Sequence, residues 1–222
     1  MSIVIFLLLI ILCIGLIYMV HKYFGKHEFY LLAIIYSILS VLLSFKLVNV
    51  FGFDINLNLI FSCGIICLLY YFNNKYGSDD SKKLIITIIV STIVCDIMLL
   101  LNSFMIPAIY DENLVLFQNL VFDNIIIFVL YPIVLFITLH FLNYYFKKIK
   151  GIDNNRDFKI LFVLACVLFV ESLVFICFSY SVIINFYSSL FIALGNYLVK
   201  IIIMFTLYLC INKIIRVKKV NS

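Results

Sequence analysis

Seven stretches of this sequence, about residues 2–20, 29–50, 55–72, 84–105, 119–146, 160–180 and 188–211, are apolar over close to the ~20 residues a helix needs to cross a bilayer core. That recurrence constrains the fold more than any motif. The chain is 66% hydrophobic and 12% charged, with a mean hydropathy of +1.24. A soluble domain sits near about half apolar and about a quarter charged. With only 2 Pro and 7 Gly, most of the 222 residues can be helical. The reading is all-α: a polytopic transmembrane helical bundle of about seven spans, forming a single integral membrane domain over residues 1–222. The fifth run is long and carries Pro132, which predicts a kink or a strong tilt.

The segments between the runs alternate in charge. His21, Lys22, Lys26 and His27 follow the first run, and Lys75, Lys82 and Lys83 the third. Lys147, Lys148, Lys150, Arg156 and Lys159 follow the fifth, and Lys213, Arg216, Lys218 and Lys219 close the chain. The other three connections carry Asp54, then Asp111 and Glu112, then no charge. The positive-inside rule puts the first set in the cytoplasm, with the N-terminus outside and the C-terminus cytoplasmic. The net charge of +5 is therefore a topology signal and gives no reason to expect a nucleic-acid partner. The first run lacks a preceding basic region and a small-residue cleavage site, so a retained helix is expected.

All 7 Cys fall inside apolar runs, and an odd count there argues against a disulfide framework. Cys63 and Cys67 are one helical turn apart, a spacing that could suit a metal. No His or carboxylate lies nearby in sequence to complete such a site, and small core residues are the favoured reading. The chain has no Walker loop, dinucleotide fingerprint, zinc-protease motif or serine nucleophile elbow. Neither an enzyme nor a cofactor is expected.

What remains is a short set of polar residues inside the runs. An ionisable group at mid-membrane costs about 2.5–3.5 kcal/mol on insertion scales and usually faces a cavity or a partner. Lys200, in "LGNYLVKIIIMFTLYL", is ~18 Å from either end of its run, too deep for its stem to reach the interface. Glu171, in "LFVESLVF", is at a similar depth in the preceding run. A short uncharged connection makes the two runs antiparallel neighbours, so Glu171 and Lys200 are expected to pair. The pair is either purely structural or the lining of a polar pocket. Asp96 is either a pocket carboxylate or an interfacial one turned to outer water. Lys46, near the outer end of the second run, either snorkels or joins the pocket. His140, near the inner end of the fifth, is expected to face the bundle with its hydrogen bonds satisfied. Tyr70 and Tyr71, followed by Asn73 and Asn74, form either an interfacial aromatic belt or a surface for a flat heteroaromatic ligand.

Residues 40–77, "SVLLSFKLVNVFGFDINLNLIFSCGIICLLYYFNNKYG", resemble the opening segment of the vitamin uptake transporter family. Members of that family with known roles carry queuosine precursors. The chain keeps "KLVNVFG", the "IF" of the apolar run and "KYG", with Lys82 and Lys83 where the family has a basic pair. "LNYYFKKIKG" (142–151) is similar to the family's basic inner loop. Lys159 followed twelve residues later by "ESLVF" is similar to an Arg and "D-T-x-x-F" element, and "GNYLVKIIIMFTLYL" to the last helix. The likeness runs over about residues 30–215. Two acidic positions of the family fall on Tyr70 and Asn74 here, its aspartate on Glu171 and a glutamine on Leu168.

The resemblance implies a transporter-like bundle over 29–215, with residues 1–28 an added N-terminal helix. It implies import across the cell membrane, inner or plasma, of a small flat nitrogen-rich solute such as a deazaguanine base. Movement would be facilitated or ion-coupled. Glu171 would accept hydrogen bonds from the solute. Lys200 would balance Glu171 or donate to a ring carbonyl, and Tyr70 and Phe175 would offer stacking faces. Asp96, Asn74 and Lys46 complete the candidate binding set. The partners are then a small-molecule solute and the lipid bilayer, with homo-oligomerisation left open. Two alternatives stand beside this: a solute-binding membrane subunit of an energised vitamin uptake complex, and a non-transport membrane protein that retains the fold.

Overall fold

The computed structural model describes residues 2–50, 52–106, 112–123, 125–149, 156–180 and 185–220. In chain order the elements are α1 (Ser2–Tyr23), α2 (Lys26–Leu43), β1 (Leu47–Val50), β2 (Phe53–Asn56), α3 (Leu59–Lys75) and α4 (Ser78–Ser103). They continue with α5 (Glu112–Asp123), α6 (Ile125–Ile149), α7 (Arg156–Tyr180) and α8 (Phe186–Val220). Helices dominate because a backbone in hydrocarbon must satisfy its own hydrogen bonds within the segment. Six of them are long and apolar enough to cross a membrane: α1, α2, α4, α6, α7 and α8. The protein is a multi-pass helical membrane protein.

The third run forms the remaining apolar helix, and it sits in the middle. Every residue of α3 from Leu59 to Asn73 is buried, and the helix packs against α1, α2, α4, α6 and α8. A helix that is apolar on all sides has no face to give to water, so enclosure is its stable solution. At 17 residues it is ~25 Å long. The helices around it turn their other faces outward: Val4 and Ile11 of α1, Val90 and Met98 of α4, Val129 and Ile137 of α6 are exposed apolar side chains of a lipid-facing surface. Close approach of α1, α2 and α3 depends on Gly64. A Cβ there would lie 2.8 Å from Cys13 Sγ and 2.9 Å from the Tyr36 ring. The Tyr36 hydroxyl donates to the Cys13 carbonyl at 2.7 Å across the same contact.

One feature departs from the expected helices. The second run does not stay helical to residue 50. α2 stops at Leu43, and an antiparallel hairpin follows, pairing Leu47 with Asn56, Val48 with Ile55, Asn49 with Asp54 and Val50 with Phe53. The reason lies in "LVNVFGFDIN". Its polar residues alternate with apolar ones at period two, and Gly52 supplies the positive φ of 82° that a tight turn favours. The hairpin packs on α8 and α1. The fold is thus a helical bundle with one small hairpin at one end. The fifth run covers the end of α5 and most of α6, which flank residue 124, itself outside the described residues, and Pro132 lies inside α6. Asp111 and Lys150 lie outside the described residues.

Two helix ends carry charges that match the helix dipole. Asp79 and Asp80 occupy the first turn of α4, and Lys147 and Lys148 the last turn of α6, matching the helix dipole at both places. Gly77, at φ 93°, makes the sharp joint between α3 and α4. Together these positions define a basic end of the bundle, opposite the hairpin end.

Candidate functional site

Glu171 and Lys200 meet. The Lys200 ammonium lies 2.9 Å from Glu171 Oε1, and the two residues are 6% and 4% exposed. The antiparallel packing of α7 on α8 puts them at one depth. Glu171 Oε2 has no hydrogen-bond partner. Cys63 of α3 packs on the same point, its thiol 3.9 Å from the Lys200 carbonyl oxygen, and Cys67 Sγ contacts Met204 Sδ at 3.7 Å. Both cysteines are therefore packed on α8. Among the described residues, no group of three or more His, Cys, Asp or Glu side chains could hold a metal ion.

Phe175, one turn along α7 from Glu171, is buried edge-on to Tyr131 of α6 at 5.6 Å between ring centroids. The Tyr131 and Ser40 hydroxyls are hydrogen-bonded to each other. Asp96 is 6% exposed, and its Oδ2 is unpartnered. It is a buried carboxylate of α4, not one turned to outer water. Five helices thus carry chemistry into the interior: Ser40 on α2, Asp96 on α4, Tyr131 on α6, Glu171 on α7 and Lys200 on α8.

The other residues of the expected set lie elsewhere. Tyr70 is seven residues beyond Cys63 on α3, so ~10 Å nearer the basic end. Its ring is held by Tyr208 and Phe146, at 5.1 and 5.3 Å, and its hydroxyl donates to Asn212 Oδ1 at 2.8 Å. With those neighbours it presents no open stacking face. Asn74 donates to the Tyr70 carbonyl at 2.9 Å and accepts from Arg156. Lys46 is exposed in the turn between α2 and β1, outside any helix, because α2 ends three residues earlier. His140 is exposed too. It does not face the bundle, and its Nδ1 lies 3.2 Å from the Phe136 carbonyl on its own helix.

A cavity of about 330 Å³ lies between α6 and α7, with Val134, Ile137, Thr138, Val167, Val170 and Glu171 on its walls. Glu171 is the one carboxylate among its described lining residues. The carboxylate holds Lys200 with one oxygen, and the other, buried and unpartnered, can accept a donor only when the packing around it opens. A charge-assisted hydrogen bond of that kind is roughly twice as strong as a neutral one. Tyr131 and Ser40 were missed in the sequence. A tyrosine inside an apolar run carries no mark of which side it faces. Compared with protein-family models, with curated proteins and with solved structures, the chain matches none.

Proposed function

We propose that the protein is a carrier of the cell membrane, plasma or inner, that imports a small heteroaromatic solute by facilitated or ion-coupled movement. Its seven apolar helices, α3 included, would all span, with the N-terminus outside and the C-terminus cytoplasmic. A deazaguanine-type queuosine precursor is the solute class that the resemblance supplies. The observation that carries the reading is the buried Glu171–Lys200 pair with one carboxylate oxygen left over. Two charges taken out of water cost several kcal/mol each even when paired, roughly, and an apolar pair of the same volume would serve stability as well or better. A purely structural pair would also be expected to use both oxygens and sit in filled space. Here a cavity adjoins it, which favours binding over a fold that has lost its site.

In this reading Glu171 accepts a ring N–H or amino group and Lys200 keeps the carboxylate charged. Phe175 and Tyr131 support the site from behind Glu171. Transport then needs the two ends of the bundle to loosen in turn, and polar ties at each end are the elements that would open. The test is uptake of labelled deazaguanine bases by cells that lack their own carrier. Saturable accumulation above the empty-vector level is expected. Accumulation no greater than the vector control at full protein expression would reject the assignment.

A further inference from the structure

Among the described residues, the buried charged side chains are two carboxylates and one ammonium: Asp96, Glu171 and Lys200. Lys200 serves Glu171. Asp96 is left without a cation. It continues the inward stripe of α4 through Ile88 and Thr92, eighteen residues (~27 Å) from the basic end of that helix and seven (~10 Å) from the other. Its Oδ2 has no hydrogen-bond partner, and the Thr92 hydroxyl one turn away donates to the Ile88 carbonyl at 2.8 Å instead. The elements packed on α4 are α2, α3, α5 and α6. The cations of α2, α3 and α6 near their ends, Lys26, His27, Lys75, Lys147 and Lys148, all belong to the basic end. His140 of α6 is exposed, and α5 carries acids but no basic residue. Near the level of Asp96 these helices offer hydroxyls and thiols. Ser40 of α2 and Tyr131 of α6 are ~5 and ~9 Å from the hairpin ends of their helices and are bonded to each other. Cys63 of α3 and Cys95 of α4 itself are the thiols there.

We propose that Asp96 is the proton-binding site of the bundle and that import is driven by the proton gradient through it. This assignment rests on the carrier reading and names its coupling ion. An ionised carboxylate buried without a cation is expensive, and a neutral acid is far less so. The bundle therefore closes with a proton on Asp96 and resists closing without one. The proton comes from hydronium in the outer water and returns to water on the cytoplasmic side when the basic end opens. One O–H bond is made and the same bond is broken. The proton needs one carboxylate oxygen and no cavity. A hard metal cation such as calcium or magnesium takes about six oxygen ligands or more, and the interior turns of α2, α3 and α6 bring no second carboxylate to Asp96. The two buried acids thus divide the work: Glu171, with Lys200 beside it, meets the solute, and Asp96 carries the proton.

The test uses the full chain in liposomes, with two readouts. Infrared absorption reports a protonated carboxylic acid directly, through a carbonyl stretch separate from that of a carboxylate. At neutral pH that band is expected in the unaltered protein and missing in Asp96→Asn. Glu171→Gln should keep it. Protein made by cell-free synthesis with aspartate carrying heavy carbon in its side-chain carboxyl should show the band shifted, a result that needs no variant to fold. The second readout is uptake of a labelled deazaguanine base with the membrane potential held at zero. With the outside about one pH unit more acid, one proton per solute gives about tenfold accumulation, the ratio of proton activities. Asp96→Asn should bring the inside concentration no higher than the outside, while labelled base still exchanges for unlabelled. Absence of an aspartic acid band overturns the proposal, and so does accumulation that survives Asp96→Asn or uptake that ignores the gradient. A band that Asp96→Asn removes, without uptake of any deazaguanine base, upholds the proton site and rejects the solute assignment.

Discussion

The ties that join α3, α7 and α8 differ between the two ends of the bundle in how their polar contacts are finished. At the hairpin end Asn56 is fully buried. Its Nδ2 donates to the Ser44 carbonyl at 2.6 Å and to the Tyr180 hydroxyl at 2.7 Å. Its own N–H donates to Asn196 Oδ1 at 3.0 Å, and its Oδ1 accepts from the Asn58 N–H at 3.0 Å. One residue, through its side chain and its backbone N–H, therefore joins the end of α2, α7, α8 and the start of α3, with those polar atoms all used. At the basic end α3, α7 and α8 are joined by three separate bonds: Tyr70 to Asn212, Arg156 to Asn74, and Tyr208 to Asp157 at 2.8 Å. Asn74, Arg156 and Asn212 are only partly buried, and Arg156 Nε has no partner. A saturated dry knot opens only by stranding buried donors and acceptors. A partly wet tie can exchange its partners for water at little cost. The basic end is therefore the one built to open more readily.

The largest contrast is in access from the two sides of the membrane. With the basic end cytoplasmic, a cysteine placed at Lys82, which is exposed, should react with an impermeant thiol reagent only after the membrane is opened. A cysteine at exposed Asn49 in the hairpin should react in intact cells. Labelling of position 82 from outside would reverse the orientation.

Next comes the knot. Asn56→Ala strands the Asn58 N–H and removes the two bonds the Asn56 amide donates, while the Tyr180 hydroxyl still donates to the Ser44 carbonyl at 3.0 Å. At about 1–3 kcal/mol for the stranded N–H and about 0.5–1.5 kcal/mol for each lost bond, a cost of several kcal/mol is expected, a large share of a domain's marginal stability. Loss of folded protein in detergent is expected. A melting temperature within a few degrees of the unaltered protein would show that the hairpin end is looser than its contacts suggest.

The basic end should be more forgiving. Tyr208→Phe removes one half-wet bond to Asp157 and keeps the ring packed on Tyr70, so a cost of about 0.5–1.5 kcal/mol is expected. Thermal unfolding of the two variants side by side checks the ranking. If Tyr208→Phe costs as much as Asn56→Ala, the two ends do not differ in the way their hydrogen bonds indicate.

Much of this contrast could not be read from the chain. Depth along a helix was legible, because 1.5 Å per residue converts position into height, and Glu171 and Lys200 matched in height before any packing was known. The same arithmetic places Tyr70 and Asn74 near the basic end, apart from the pair. Their grouping into one site with Glu171 rested on family spacing and not on height. Facing was illegible where the apolar pattern ran round the whole helix, as for Tyr131 and His140. The hairpin was hidden because mean hydropathy does not distinguish a two-residue period from a helical one, so Lys46 was placed inside a span. Asn56 finds its partners 124 and 140 residues away, at Tyr180 and Asn196. No local signal carries such a choice.

Between the two ends lies the pair on which function is argued to rest, and Glu171→Gln probes it with the least disturbance. The amide keeps the size and one carbonyl acceptor but removes the charge. Uptake by cells and the melting temperature of the purified variant are measured on the same protein. A fall in uptake of at least tenfold, about 1.4 kcal/mol, with a melting temperature close to that of the unaltered protein is the expected result. Unchanged uptake, or a loss of uptake that only tracks a collapse in stability, would make Glu171 a structural residue and contradict its role in binding solute.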